Sequence, residues 1–336
     1  MKPRDARFTL MGFLTPDDGY GYAAIKAGNT LLEMGARVTC VDMADGTQDG
    51  WEIGEPTVAM CAPDWLERID APKVVSYTMF ESTRLPDGRV EEINRHAQAC
   101  VVPCAWNAEV FRACGVEIPV YVVPLGVDEG DYWLVDRDRA RRPYTFLWNG
   151  TPDLRKGWDV VYRAFWHAFR GDTDVRLVLH FRELPKGVQG CRDENVEIVE
   201  GKLPLSQFRK TMWGADCFVF PSRGEGWGLP PREAAATGLP VIATNWGGLA
   251  VDIEEWALPL RVKGTSPARF GWWDEDVDLG EWAEPDAAHL AELMKWCFGH
   301  QEEAAVVGER AADWMATQGT WERTADGLLD VMAGYV

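Results

Sequence analysis

Histidine is scarce in this chain, five in 336 residues, and the eight cysteines are scattered, with no Cys-x-x-Cys pair among them. A structural zinc site needs closely spaced ligands of these types, so none is expected. Isolated cysteines also suit a reducing compartment, which points to a cytoplasmic protein. No apolar run reaches the roughly 18–20 residues that a membrane span requires. The opening MKPRDARFTLMGFL has a basic start but no long apolar stretch and no small-residue cleavage site, so a secretory signal is not expected. Basic residues are in deficit, 34 Lys and Arg against 53 Asp and Glu, a net charge of −19. Such a field repels polyanions on average, which disfavours nucleic acid while leaving room for a locally basic groove. The one basic cluster, Arg137, Arg139, Arg141 and Arg142, alternates with acids and reads as a solvated linker.

What is present is ordinary globular material. Hydrophobic residues at 46% and charged residues at 26% exclude disorder over most of the chain. The length fits two domains of roughly 150 residues each. Seventeen tryptophans are many; core, interdomain surface and a platform for a planar or sugar ligand are their expected uses.

Short apolar runs alternate with helical stretches. Arg7–Leu14, Val38–Met43, Val74–Thr78, Ala99–Val102 and Val120–Val123 read as strands, with a helix over Tyr22–Met34 closed by Gly35. This is the βαβ rhythm of a parallel sheet covered on both faces. It breaks over Pro124–Pro143 and restarts with Tyr144–Trp148, Val175–Phe181, Val196–Glu200, Phe218–Pro221 and Val241–Thr244, with a helix near Trp158–Phe169. The expected domains are therefore 1–125 and 144–319, with a linker at 126–143. The Trp- and acid-rich stretch Gly264–Pro285 reads as a loop. Trp321, Ala325, Leu328, Leu329 and Met332 make one apolar stripe of a last helix, within a closing segment 320–336.

The most informative segment is Phe218–Thr244, FVFPSRGEGWGLPPREAAATGLPVIAT. A buried strand ends at Pro221, and a glycine-bearing loop follows. Pro230 and Pro231 stand where a helix begins, and Gly238 ends that helix. Strand, glycine loop and helix N-terminus together make an anion site, because free N–H groups and the positive dipole end face the ligand. Glycine lets that ligand approach the backbone. Two carboxylates frame the loop, Glu225 and Glu233. A carboxylate beside a phosphate makes sense if each accepts hydrogen bonds from hydroxyls at opposite ends of the ligand. The plainer alternatives are a first-turn acid at Glu233 and a solvated loop acid at Glu225.

This segment resembles the E-x7-E signature of the retaining, GT-B-fold glycosyltransferases of family four, also called glycosyl transferases group 1. Trp227 stands where that family usually has Phe. The resemblance implies that Glu225 contacts the hydroxyls of the donor sugar, that Glu233 contacts the ribose, and that the amides of Gly226, Trp227, Gly228 and Leu229 bind donor sugar and phosphate. A second resemblance lies at Leu147–Asp159, LWNGTPDLRKGWD. Gly150 and Lys156-Gly157 align with the family's diphosphate clamp, but Thr151 occupies the place of its arginine. Arg155 is the candidate to supply the missing charge. In the N-terminal part, Asp18–Tyr22 with Gly19 and Gly21 resembles the family's first glycine loop, near donor phosphate and acceptor. Glu81, after the strand at Val74–Thr78, is the candidate acceptor contact, with a helix cap or loop acid as the alternative. Thr320–Thr324 resembles the start of the family's last helix, which crosses back to the first domain.

The fold implied is α/β, two Rossmann-like domains facing each other across a cleft. The implied activity is transfer of a sugar, a UDP-hexose being the favoured donor, to an acceptor hydroxyl, with no metal ion and no cofactor beyond the nucleotide-sugar co-substrate. Glu225, Lys156 and Glu81 are the implied catalytic positions. The acceptor stays open: small molecule, glycan, lipid carrier or modified nucleic acid. Two other readings stand beside this one. Gly19-Tyr20-Gly21-Tyr22-Ala23-Ala24, with Asp42 about 20 residues on, fits the fingerprint of an NAD-dependent oxidoreductase. The departure at Thr151 fits a sugar- or partner-binding module on a degenerate transferase scaffold.

Overall fold

The structure, a computed structural model, describes residues 6–16, 18–45, 50–137, 143–184, 193–273 and 276–336. The chain divides into two compact units. The first comprises 1–128, 278–280 and 319–336; the second comprises 129–277 and 281–318.

The first unit is built on six strands: β1 (Arg7–Gly12), β2 (Arg37–Asp42), β4 (Thr57–Met60), β6 (Val74–Tyr77), β7 (Ala99–Val102) and β8 (Val120–Val122). A two-residue ladder, β3 (Trp51–Glu52) with β5 (Ile69–Asp70), lies apart from them. The six run parallel in the order β2-β1-β4-β6-β7-β8. Helices α1 (Gly19–Glu33), α2 (Asp87–His96) and α3 (Ala105–Ala113) are the crossovers. β4, Thr-Val-Ala-Met, sits in the middle of the sheet and was not among the strands expected from the sequence. All four of its residues are buried, so packing from both faces, not local propensity, fixes it.

The second unit repeats the plan with β9 (Tyr144–Gly150), β10 (Val175–Phe181), β11 (Val196–Glu200), β12 (Cys217–Phe220), β13 (Val241–Thr244) and β14 (Leu258–Leu260), in the order β11-β10-β9-β12-β13-β14. The register is parallel throughout. Helix α4 (Trp158–Phe169) turns Val160, Val161, Ala164, Phe165 and Phe169 onto the core it shares with Phe146 and Trp148 of β9. Each such apolar side chain contributes about 1.5–3 kcal/mol on burial. Helices α5 (Leu205–Trp213), α6 (Leu229–Ala236), α7 (Ile253–Trp256), α8 (Ala287–Gly299) and α9 (Gln301–Gln318) complete the unit.

The expected loop Gly264–Pro285 is corrected at both ends. Val262–Pro267 (β15) and Glu281–Pro285 (β16) pair as an antiparallel ribbon. Trp282 Nε1 donates to Ser266 Oγ across it at 3.0 Å, and Thr265 Oγ1 donates to Glu281 at 2.6 Å. Of the expected linker, Gly126–Asp128 belong to the first unit and Glu129 onward to the second. Arg137 is half-buried and donates to the Thr237 hydroxyl at 2.8 Å, so it is held against α6 and is more than a solvated linker residue; Arg139, Arg141 and Arg142 lie outside the described residues. The last helix, α10 (Trp321–Met332), lies on α1 within the first unit. Thr324 Oγ1 donates to Pro124 O at 2.8 Å, and Val127 N to Gly319 O at 2.7 Å.

Candidate functional site

In the second sheet, connections leave β9 toward β10 on one side, and β12 continues on the other, so the strand order reverses between β9 and β12. Open parallel sheets bind ligands at such a switch point, outside the carboxyl ends of the strands. The two loops that leave β9 and β12 there are 151–157 and 221–228, which carry most of the residues singled out in the sequence.

The first loop is a tight turn. Asp153 Oδ1 accepts from Arg155 N at 2.8 Å, and Gly157 N returns to Leu154 O at 3.0 Å. Trp148 Nε1 holds the turn from below by donating to Lys156 O at 3.0 Å. Gly157 has φ 73° and opens α4, and a Cβ there would lie 2.0 Å from Pro221 O. Only glycine lets the two loops approach so closely.

That approach brings the charges together. Glu225 Oε1 accepts from Lys156 Nζ at 2.7 Å, from Ser222 Oγ at 2.8 Å and from Arg155 Nη1 at 3.2 Å. Arg155 Nη1 also donates to Gly224 O at 2.7 Å. Burial alone would push the Glu225 carboxyl up, but the charges of Lys156 and Arg155 and the bonds from Lys156 and Ser222 outweigh it, and the net shift is downward. Glu225 is thus a buried carboxylate beside two cations. Thr151 is half-buried at the start of the same turn.

Beyond Glu225 the loop enters α6 through Gly228, at φ 86°. Six of the eight residues of α6 are buried, Glu233 included. A second glycine turn supports the loop: Gly248 N donates to Glu225 O at 2.9 Å, and a Cβ on Gly248 would lie 2.2 Å from Gly226 O. The ribbon completes the surround. Arg223 pairs bidentately with Asp159 of α4 at 2.8 and 2.9 Å, lies 3.5 Å from Glu284 of β16, and accepts from Ala283 N at its carbonyl.

Residues 143–267 match the family model described as glycosyl transferases group 1. This segment is thus similar to the glycosyl transferases group 1 family. Its match to the D-inositol 3-phosphate glycosyltransferase of Nocardia farcinica is 32% identical over 308 residues, 84% of this chain and 62% of that one. The chain spans about half the length of several curated relatives of the same name, 41%, 45% and 58% in three cases. Among solved structures, sucrose-phosphate synthase from Thermosynechococcus elongatus superposes with a TM-score of 0.72 at 16% identity, covering 98% of this chain and 99% of that one. The Anabaena HepE protein, solved in complex with UDP-glucose, superposes at 0.67 with 12% identity, covering 98% and 99%. These likenesses give the GT-B fold. The group 1 segment holds the whole cluster around Glu225 except the ribbon's second strand.

The remaining candidates lie at the carboxyl edge of the first sheet. Gly19 opens α1 and is exposed; Gly21 is buried, its N–H donates to Asp18 at 2.8 Å, and a Cβ there would meet the carbonyls of Phe13 and Thr15 at 2.4 and 2.3 Å. Gly21 therefore makes room for the protein's own loop. Asp42 accepts from the amides of Leu14 and Ala44 at 3.1 and 2.9 Å, so the acid that the dinucleotide fingerprint reserves for ribose is already engaged with backbone. Glu81 is half-buried in the loop after β6. Nearby, Tyr20 bonds Thr78 Oγ1 and the Met79 backbone, and burial pushes its hydroxyl up to about 12.

Sequence reasoning missed Ser222, Arg223, Asp159, the second glycine turn and Arg232. At the end of β10 the His180 ring is buried, with Asn149 Nδ2 at 2.9 Å from Nδ1 and Gly201 O at 2.9 Å from Nε2. Burial lowers its pKa. The helix α5, which brings Phe208 to 5.7 Å from the His180 ring, was also unforeseen. No helix is long and apolar enough to cross a membrane among the described residues.

Proposed function

We propose that the protein is a retaining glycosyltransferase that moves a hexose from a UDP-sugar to an acceptor hydroxyl without a metal ion. The observation that carries this reading is the Lys156–Glu225–Arg155 cluster at the switch point, beside a glycine loop that opens a buried helix. Cleaving the anomeric C–O bond builds charge on the leaving diphosphate. Lys156, Arg155 and the amides of Gly226–Leu229 supply fixed positive potential there, which is where such catalysis gains most. Three donors already occupy Oε1 of Glu225, and Oε2 is the oxygen offered to sugar hydroxyls. Glu233 takes the ribose. Retention follows the family's front-face course, in which no enzyme carboxylate attacks the sugar, unlike the paired carboxylates of glycosidases. Thr151 lines the donor beside Lys156.

The UDP-glucose complex of the Anabaena protein supports the donor class, and the inositol 3-phosphate relatives make a phosphorylated polyol the first acceptor to try. A cytoplasmic site of action accords with both. Thr151 at the arginine position favours a second reading, a binding module that has lost turnover. A hydrolysis and transfer screen over UDP-, GDP- and ADP-sugars, run with EDTA, decides between them. Slow release of one nucleoside diphosphate supports the enzyme; binding without release supports the module.

A further inference from the structure

Arg232 is 1% exposed, in the first turn of α6, directly after two prolines. Its Nη1 donates to the carbonyls of Trp227 and, at 3.3 Å, Gly228; its Nη2 donates to Gly248 O at 2.9 Å. The guanidinium carbon lies 3.9 Å from the Trp227 ring centre and 4.6 Å from that of Trp256. A buried cation is costly unless it is solvated by the protein. Here three carbonyl dipoles and two aromatic faces do this, at a residue that carries no part of the E-x7-E signature.

We propose that Arg232 is a positioning residue that aims the phosphate-binding amides of the glycine loop. The inference rests on the donor site proposed above. A trans peptide is planar, with its C=O and N–H on opposite sides. The Trp227 carbonyl shares a peptide with the Gly228 N–H, and the Gly228 carbonyl shares one with the Leu229 N–H. Drawing both carbonyls down onto a guanidinium beneath the loop turns both N–H groups outward, away from the interior. Gly228, at φ 86°, supplies the backbone freedom for this arrangement. The contact to Gly248 O ties in the second glycine turn, whose amide holds the Glu225 carbonyl. One side chain thus sets the direction of the amides and the position of the carboxylate together. Lysine cannot replace it: a point charge neither forks to three carbonyls nor stacks between two indoles.

The test compares nucleoside diphosphates with their nucleosides. Calorimetry on the full chain measures UDP, GDP and ADP, and then uridine, guanosine or adenosine to match whichever diphosphate binds. In Arg232→Lys and Arg232→Met, affinity for that diphosphate should fall by about 10-fold or more while the nucleoside binds as before. Transfer or hydrolysis should lose on the order of 100-fold in kcat, as when an aimed donor is removed from a charge-stabilising site. Unchanged diphosphate affinity, or an equal loss for diphosphate and nucleoside, overturns the inference. Where the variants do not fold, the wild-type chain still answers. The Gly228 and Leu229 amide resonances should move with the diphosphate and not with the nucleoside, and resonances that stay put overturn it. A wild-type chain that binds none of the three diphosphates sinks the functional reading itself and this inference with it.

Discussion

Lys156 places its ammonium 2.7 Å from Oε1 of Glu225, a residue 69 positions away in sequence. The pair exists because Gly157 and Pro221 let two loops touch at the switch point of the sheet. It joins the cation proposed to hold the diphosphate to the carboxylate proposed to meet the sugar, so a change at either should be felt at the other.

Replacing Glu225 with Gln should therefore cut kcat, and replacing Glu233 with Ala should chiefly raise the donor KM, since a ribose contact is made equally in ground and transition states. A hydrogen bond to a charged group contributes roughly 1.5–3 kcal/mol, so effects of about 10- to 100-fold are expected. Steady-state kinetics on the single and double variants check this; wild-type behaviour of the double variant would remove both residues from the site.

The pH dependence of stability has a definite sign. The Glu225 carboxyl titrates below its ordinary value in the folded chain. Its contribution is therefore complete above the unfolded carboxylate value, about 4.3, and is lost as pH falls through the lower folded value. The difference in melting temperature between wild type and Glu225→Gln should be flat from about pH 5 to 7 and should shrink below about pH 4. A difference that instead grows toward acid contradicts the ion-pair geometry.

Two glycines with similar φ separate backbone strain from close approach. Gly35 has φ 78° with open space around a Cβ, whereas Gly157 has φ 73° with Pro221 O at 2.0 Å. Gly35→Ala should cost about 1–2 kcal/mol, the ordinary left-handed penalty. Gly157→Ala should cost clearly more and should weaken donor binding, because Lys156 moves with the turn. Denaturant melts and donor titrations on both variants make the comparison.

Activity should survive EDTA and gain nothing from Mg²⁺ or Mn²⁺, since Lys156, Arg155 and the amides at α6 are proposed to neutralise the diphosphate. Activity abolished by chelation and restored by a divalent ion would overturn that part of the mechanism.

Much of the fold was readable because parallel strands buried on both faces are continuous apolar runs, as in Phe218–Pro221 and Ala99–Val102. Of the strands that escaped, Leu258–Leu260 contains Pro259 and the ribbon strand Val262–Pro267 is polar on both faces, whereas Thr57–Met60 is as short as Ala99–Val102 and is fixed by burial on both faces. At the site, the glycine loop and both glutamates were legible since strand, loop and helix follow one another in sequence. The roles of Arg155, Ser222 and Arg223 were not, because each depends on a partner brought in by the fold. Arg232 stood in plain view within the motif, but an arginine in a helix start reads as surface until its burial is known. Two of the seventeen tryptophans, Trp227 and Trp256, serve as the faces that enclose it.

Leu328 of α10 is fully buried in the first unit, so Leu328→Ala should cost about 2–5 kcal/mol there. Urea unfolding followed through the first unit's tryptophans should shift to lower denaturant.

The same helix sets an order on biosynthesis. The first unit takes its final helix from residues 321–332, which leave the ribosome only after the whole of 129–318 has been made. At about 5–20 residues per second that is a wait on the order of ten seconds or more. Until then the face of α1 that receives α10, where Tyr22 meets Trp321, is bare, while the later-made unit already has its entire sheet. The first unit therefore cannot be completed until the second has been made.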